Sequence, residues 1–342
     1  MPLNFACDYL ESAHPEVLQR VIDTNFEQTD CYGLDHWGRS AADKIRAASE
    51  APEADVFFLV GGTQMNLTVI ATMLRPYEAV VAAKTGHVSC HEAGAIEHTG
   101  HKVIELPQKD GKLSAEDVEA CFSAWENDGN REHMVFPKMV YLSQPTECGT
   151  LYTLDELTAI SKTAHRHGGY VYVDGARLLY GLAAEGSDVT LSDLARLTDA
   201  FYIGGTKAGT LFGEAVVFPK KNTVPHFFTM VKQKGALLAK GKLLGVQFDA
   251  LFTNDLYRRI GEHADKAAER IRARLIEKGY EIVWPNKTNQ TFIRLENKRA
   301  EALQRDVVMS FWERTDADHT IYRLATSWAT KDEDVDALLK LL

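Results

Sequence analysis

An aspartate and a lysine, Asp174 and Lys207, stand 33 positions apart, each closing a short run of β-branched and aromatic residues: Tyr170-Val171-Tyr172-Val173-Asp174 and Phe201-Tyr202-Ile203-Gly204-Gly205-Thr206-Lys207. Such runs read as strands. In an open α/β sheet, ligands bind beyond the carboxyl ends of the strands, so both side chains would enter one crevice. A buried amine beside a buried carboxylate suits pyridoxal phosphate, whose aldehyde needs an amine and whose ring nitrogen needs an anion. The small residues from Gly204 to Thr210 leave room for a ring against Lys207, and desolvation there would lower its pKa and free the amine. A lone lysine usually faces solvent, but the glycines and Asp174 single this one out.

Three other segments carry candidate chemistry. Phe57-Phe58-Leu59-Val60-Gly61-Gly62-Thr63-Gln64 reads as a strand, a glycine turn and a helix start, whose free N–H groups would form a phosphate cradle; taken alone, a plain tight turn is the favoured reading. It matches neither the P-loop nor G-x-G-x-x-G. His87-Val88-Ser89-Cys90-His91-Glu92 puts two histidines at i and i+4. Their order with Glu92 matches no zinc-protease motif, so stacking of His87 on a flat ring is the better reading, and His91 is equally well a packed, hydrogen-bonded side chain. Arg323, between apolar neighbours in Ile321-Tyr322-Arg323-Leu324-Ala325, could grip a substrate carboxylate with its fork or face solvent from an alternating strand.

The elements that must position these residues follow from hydrophobic pattern. Strands are expected at Asp55 to Val60, Ala79 to Lys84, Lys102 to Leu106, Met139 to Ser143, Tyr170 to Asp174, Ala200 to Gly204 and Ala215 to Phe218, with helices between them. Ser114 and Thr153 each begin a helix with acids in the first turn, and Gly168-Gly169 stops the second. This is an α/β pattern with a mostly parallel sheet. Beyond about residue 246 the texture changes to a long helix from Asp255 to Lys278, strands at Tyr280 to Trp284, Thr291 to Leu295 and Thr320 to Ala325, and a helix from Arg299 to Trp312. The expected organisation is a large cofactor-binding domain over 1–245 and a small α+β domain over 246–342.

Bulk properties narrow the partner. The 342 residues are 45% hydrophobic and 25% charged, values of an ordinary globular chain. The 38 basic against 48 acidic residues give a net charge of −10, which argues against nucleic acid and anionic membranes and leaves a small molecule. No leader-like or membrane-length apolar run occurs, so the expected location is the cytoplasm. Five scattered cysteines without a C-x-x-C pair read as reduced thiols rather than as disulfides or a zinc site.

Taken together, the chain resembles the threonine aldolase branch of the β-eliminating lyases, pyridoxal-phosphate enzymes of the aspartate-aminotransferase fold. The resemblance runs through Phe5-Ala6-Cys7-Asp8, Cys31-Tyr32-Gly33, Gly61-Gly62-Thr63-Gln64-Met65-Asn66, His87 to Gly94, Val173-Asp174-Gly175-Ala176-Arg177, Gly205-Thr206-Lys207 and Tyr322-Arg323-Leu324. It implies that Lys207 forms the imine with the cofactor, Asp174 pairs with its ring nitrogen, and Gly61, Gly62 and Thr63 hold its phosphate. His87 would stack on the ring, Arg177 would contact its polar edge, and Arg323 would bind the substrate carboxylate. It also implies a homodimer or homotetramer with the site at a subunit boundary. Tyr32 and Lys242 would then come from the neighbour, Lys242 standing where the family has a phosphate-binding arginine.

Two positions depart from the family pattern. Cys7 replaces a serine near the substrate, and Glu147, in Ser143-Gln144-Pro145-Thr146-Glu147-Cys148-Gly149, stands about where a histidine meets the β-hydroxyl. A buried carboxylate with a raised pKa could take that proton, and a water linked to His87 or His91 is the alternative base. The expected reaction is cleavage of a β-hydroxy-α-amino acid to glycine and an aldehyde. Its alternatives are β-elimination or transamination with the same cofactor, an inactive binding relative, and a metal hydrolase using His87, His91 and Glu92.

Overall fold

Pattern and pairing agree closely in the first two thirds of the chain. In the computed structural model, which describes residues 2–342, a short strand β1 (Leu3–Asn4) precedes β2 (Asp55–Leu59), β3 (Glu78–Ala83), β4 (Val103–Leu106), β5 (Phe136–Ser143), β6 (Tyr170–Asp174), β7 (Ala200–Gly204) and β8 (Glu214–Phe218). The last seven form one sheet in the order β2-β8-β7-β6-β5-β3-β4. β3 to β7 are parallel to their neighbours among themselves, whereas β8 runs antiparallel to both β2 and β7. The first residue of β8, Glu214, therefore lies beside Gly204, at the edge where the parallel strands end.

Alternation along the strands decides what surrounds that edge. Val140, Leu142, Val171, Val173, Phe201 and Ile203 face one core with Leu157, Ile160 and Phe248. Tyr141, Tyr172 and Tyr202 face the other, against Met65 and Val69 of the helix Gly62–Met73. Asp174 shares the parity of Tyr172, so it ends its strand on the tyrosine-lined face. The expected caps are present: Ser114 accepts from Asp117 N–H at 3.0 Å, and Thr153 forms a capping box with Glu156. All five cysteines are free, and among the described residues no helix is long and apolar enough to cross a membrane.

The last third continues with β9 (Glu281–Ile282), β10 (Gln290–Glu296), β11 (Val307–Val308), β12 (Ser310–Arg314) and β13 (His319–Ala325). Four of these make an antiparallel sheet in the order β12-β13-β10-β9, covered by the helix Leu256–Glu277 through Ile271 and Leu275. The residue 245–246 junction falls inside the helix Lys242–Leu251.

One sequence expectation fails here. The helix expected from Arg299 to Trp312 ends in the structure at Leu303, its observed span being Asn297–Leu303, and the chain then forms β11 and β12. β11 owes its state to a distant partner, Val307 pairing with Leu3, and β12 to the hairpin it makes with β13, Ser310 pairing with Arg323. The apolar residues of the segment fit either period, so the pattern alone does not choose between helix and strand. The N-terminal strand is thus sewn to the C-terminal part, with Phe5 in its core.

Candidate active site

A cavity of about 300 Å³ opens at the sheet edge where β5, β6 and β7 end, lined by Ser143, Asp174, Lys207, Glu214, His87, Glu147, Arg177 and the Gly61–Gly62–Thr63 turn, among others. Asp174 and Lys207 thus meet in one space, as the strand-end argument required.

Asp174, 4% exposed, is heavily bonded. Its Oδ2 accepts from the Tyr141 hydroxyl and from Asn66 Nδ2 at 3.0 Å, and its Oδ1 accepts from Ala176 N–H at 2.9 Å. Burial by itself raises its pKa, but the His87 charge and the bonds from Tyr141, Tyr202 and Asn66 outweigh that and hold the carboxyl below its ordinary value. Tyr172 donates to Asn66 Oδ1 at 2.9 Å and so fixes which way the amide faces. Asn66 Nδ2 also reaches Glu92 Oε1 at 2.7 Å, and that oxygen meets His87 Nδ1 at 2.7 Å. Burial alone depresses His87, yet the Glu92 bond and the nearby Asp174, Glu92 and Glu147 charges raise its pKa overall. His91 turns toward Trp312, ring centroids 6.1 Å apart.

Lys207 sits in a single turn of helix over Thr206–Ala208, with no salt bridge to a carboxylate among the described residues. Desolvation lowers its pKa, Arg177 lowers it further, and Asp8, Glu214 and Asp174 offset only part of this. The flanking glycines have a different task from the one their size suggests. A Cβ on Gly204 would stand 2.2 Å from the Ala176 carbonyl oxygen, and one on Gly205 would stand 2.5 Å from the Gly213 oxygen and 2.8 Å from Phe248. They admit close backbone packing behind the lysine, and protein fills the space that the sequence reading gave to a ring.

Gly61 caps the helix Gly62–Met73 without any side-chain capping bond, so the first N–H groups of that helix are left for something else beside the cavity. A Cβ on Gly62 would come 3.1 Å from the Tyr202 hydroxyl. Across the cavity, Glu147 Oε1 accepts from His87 N–H at 2.9 Å and from Ser143 Oγ at 2.7 Å. Burial is the main cause that pushes its pKa up.

Arg177 is already paired. Its Nε and Nη2 donate to Asp8 Oδ2 at 2.8 Å and Oδ1 at 3.0 Å. Arg323 is not: it donates to Gln290 Oε1 and the Ala6 carbonyl, both at 3.0 Å, has no carboxylate partner among the described residues, and keeps its Nε buried without an acceptor. That is not the solvent-facing arginine of an alternating strand. Cys7 follows Ala6, whose carbonyl Arg323 bonds. Cys7 and Arg323 are not among the residues that line the cavity, and Tyr32 and Lys242 lie away from it. Lys242 donates to the Thr24 and Glu27 carbonyls at 2.7 and 2.9 Å, and Tyr32, 40% exposed, lines a separate apolar groove with Leu34 and Leu237.

Sequence reading missed Asp8, Asn66, Tyr141, Tyr202 and Glu214 as site residues. Glu214 carried the clearest signal, an acid opening an otherwise apolar strand, Glu214-Ala215-Val216-Val217-Phe218.

The chain as a whole is similar to known proteins. The family model for beta-eliminating lyases matches residues 4–298. The low specificity L-threonine aldolase of Pseudomonas aeruginosa is 30% identical over 304 residues, which are 88% of this chain and 86% of that one. The solved structure of Leishmania major threonine aldolase superposes with a TM-score of 0.96 at 44% identity, covering 99% of this chain and 98% of that one. Thermus thermophilus aspartate aminotransferase shares the fold, with a TM-score of 0.73 at 18% identity over 99% and 90% of the two chains.

Proposed function

The chain belongs to the β-eliminating lyase family, and from that premise we propose that it is a pyridoxal-phosphate-dependent aldolase that cleaves a threonine-like β-hydroxy-α-amino acid to glycine and an aldehyde. The observation that carries this reading is the pairing of Asp174 and Lys207 in one cavity, beside a helix start whose N–H groups no side chain caps.

The donor set fits the cofactor. Asp174, kept anionic by its bonds, would hold the ring nitrogen; the Gly62 and Thr63 N–H groups would hold the phosphate; His87 would cover the ring face; Lys207 offers an amine whose pKa burial has lowered. When bound there, pyridoxal phosphate supplies an aldehyde for amines and a conjugated ring that takes up the electron pair of a bond broken at Cα.

The protein's own part is binding, alignment and proton transfer. Arg323, with no internal carboxylate partner among the described residues, is free to hold the substrate carboxylate, and Trp312 lies 5.9 Å from its guanidinium. Fixing that carboxylate orients the Cα–Cβ bond, which selects the bond that breaks. Glu147 accepts its two bonds on Oε1, which leaves Oε2 to take the proton of the β-hydroxyl. Because Tyr32 and Lys242 stay outside their own cavity, we assign them to the site of a second copy, where Lys242 would face phosphate.

Protein incubated with pyridoxal phosphate is expected to gain visible absorbance and to release glycine and an aldehyde from threonine, allo-threonine or phenylserine. Lys207→Ala is expected to lose both. Pyruvate as the product, or full colour and activity in Lys207→Ala, refutes the assignment.

A further inference from the structure

One acid in the cavity has no part in the reaction as described. Glu214, 4% exposed, begins β8 opposite Gly204. Both of its oxygens are engaged: Oε2 accepts the Gly205 N–H at 2.9 Å, and Oε1 accepts the Thr206 hydroxyl at 2.7 Å. Those donors are the two residues before Lys207. A single side chain from the antiparallel strand therefore grips the turn that carries the amine. The Thr206 oxygen also receives the Gly213 N–H at 3.3 Å, which ties the turn to the loop leading into β8.

The same bonds restrain the carboxylate. Glu214 acts electrostatically on Lys207, yet no salt bridge joins them. A contact ion pair would hold the lysine as a charged, unreactive ammonium, whereas an anion held a little farther away favours the protonated nitrogen without capturing it. Other charges face the amine from the elements packed around it: Asp8 from the N-terminal segment, Arg177 from the loop after β6, and Asp174 from the end of β6. Asp8 is neutralised by Arg177, and Asp174 is held by His87 and three hydrogen-bond donors. Glu214 is faced by Lys207, by the Asp174 carboxylate from the end of β6, and by the hydroxyls of Tyr172, Tyr202 and Tyr257. Burial pushes its carboxyl up to about 7, an increase that the Lys207 charge limits.

Resting on the reading of Lys207 as the cofactor amine, we propose that Glu214 is a positioning residue for Lys207: it locks the turn that carries the amine and, restrained by Gly205 and Thr206, sets the pH at which the lysine nitrogen gives up its proton.

The experiment is a pH titration of visible absorbance in the protein loaded with pyridoxal phosphate, alongside thermal unfolding of each variant. Glu214→Gln keeps the shape and removes the charge, so the absorbance midpoint is expected to fall by about one pH unit. Thr206→Val releases Oε1 to lean toward the lysine, so the midpoint is expected to rise. A purely structural role would change unfolding and leave both midpoints in place. Unmoved midpoints in both variants, with the wild-type band present, overturn the proposal alone; a wild-type protein that gains no visible band overturns the Lys207 reading and the proposal with it.

Discussion

Arg177 grips both carboxylate oxygens of Asp8, at 2.8 and 3.0 Å, across 169 residues of sequence. The pair ties the N-terminal segment to the loop beyond β6 and keeps this arginine occupied, while Arg323 keeps a free donor. Asp8 is fully buried and also accepts from Asn289 Nδ2 at 2.9 Å. Burial alone raises the pKa of Asp8, but the guanidinium reverses this and holds it well below the carboxylate range. Removing one partner of such a pair leaves an uncompensated buried charge. Asp8→Ala is expected to cost about 3–5 kcal/mol of stability, read by urea unfolding. Because the folded pKa lies below the unfolded one, the pair's contribution is present above about pH 4 and fades as pH falls further. A loss under about 1 kcal/mol would mean that the arginine finds another partner.

The pH profile of turnover should carry Glu147. Its pKa is raised, chiefly by burial, and the proposed role needs the ionised form. Rate should therefore fall on acidification at a pH above the usual carboxylate range, and kcat/KM against pH gives the limb. Glu147→Gln is expected to lose about 10²–10⁴ in rate and to abolish that limb. A profile flat down to about pH 4 excludes Glu147 as the base.

His87 should titrate according to Glu92. With the Glu92 carboxylate 2.7 Å from Nδ1, the imidazolium is favoured despite burial. In Glu92→Gln the anion is gone, so the His87 pKa is expected to drop, by about one unit or more, in an NMR titration of the ring proton. An unchanged value would assign the upward shift to Asp174 and Glu147 instead.

Outside the site, Asp265 is a stability liability. Both oxygens are buried without a hydrogen-bond partner among the described residues, and burial, only partly opposed by Arg272, pushes its pKa to about 9. The folded state therefore holds a proton that the unfolded chain has lost above about pH 4, and stability drains away from there up to about pH 9. Asp265→Asn should remove that slope and raise stability at neutral pH by on the order of 2 kcal/mol. Equal slopes of unfolding free energy with pH in both proteins would show that Asp265 is ionised in the fold.

Much of this molecule is written locally. The strands ending at Asp174 and at Gly204 begin and end at the residues their composition indicates, because β-branched and aromatic runs bounded by glycine have few other uses. Residue chemistry likewise singled out Lys207 and Asp174, an amine and an anion at neighbouring strand ends, whereas the Gly61–Thr63 turn gained its phosphate role only from the family resemblance. What the sequence could not decide is which strands pair and which side chains meet. β12 is a strand because β13 folds back on it, Glu214 stands at the lysine turn because β8 runs antiparallel to β7, and Arg177 is occupied because Asp8 reaches it from 169 residues away. None of these contacts has a signature in the residue pattern around it, so only the folded chain, where buried charges and donors are set against particular partners, could assign them.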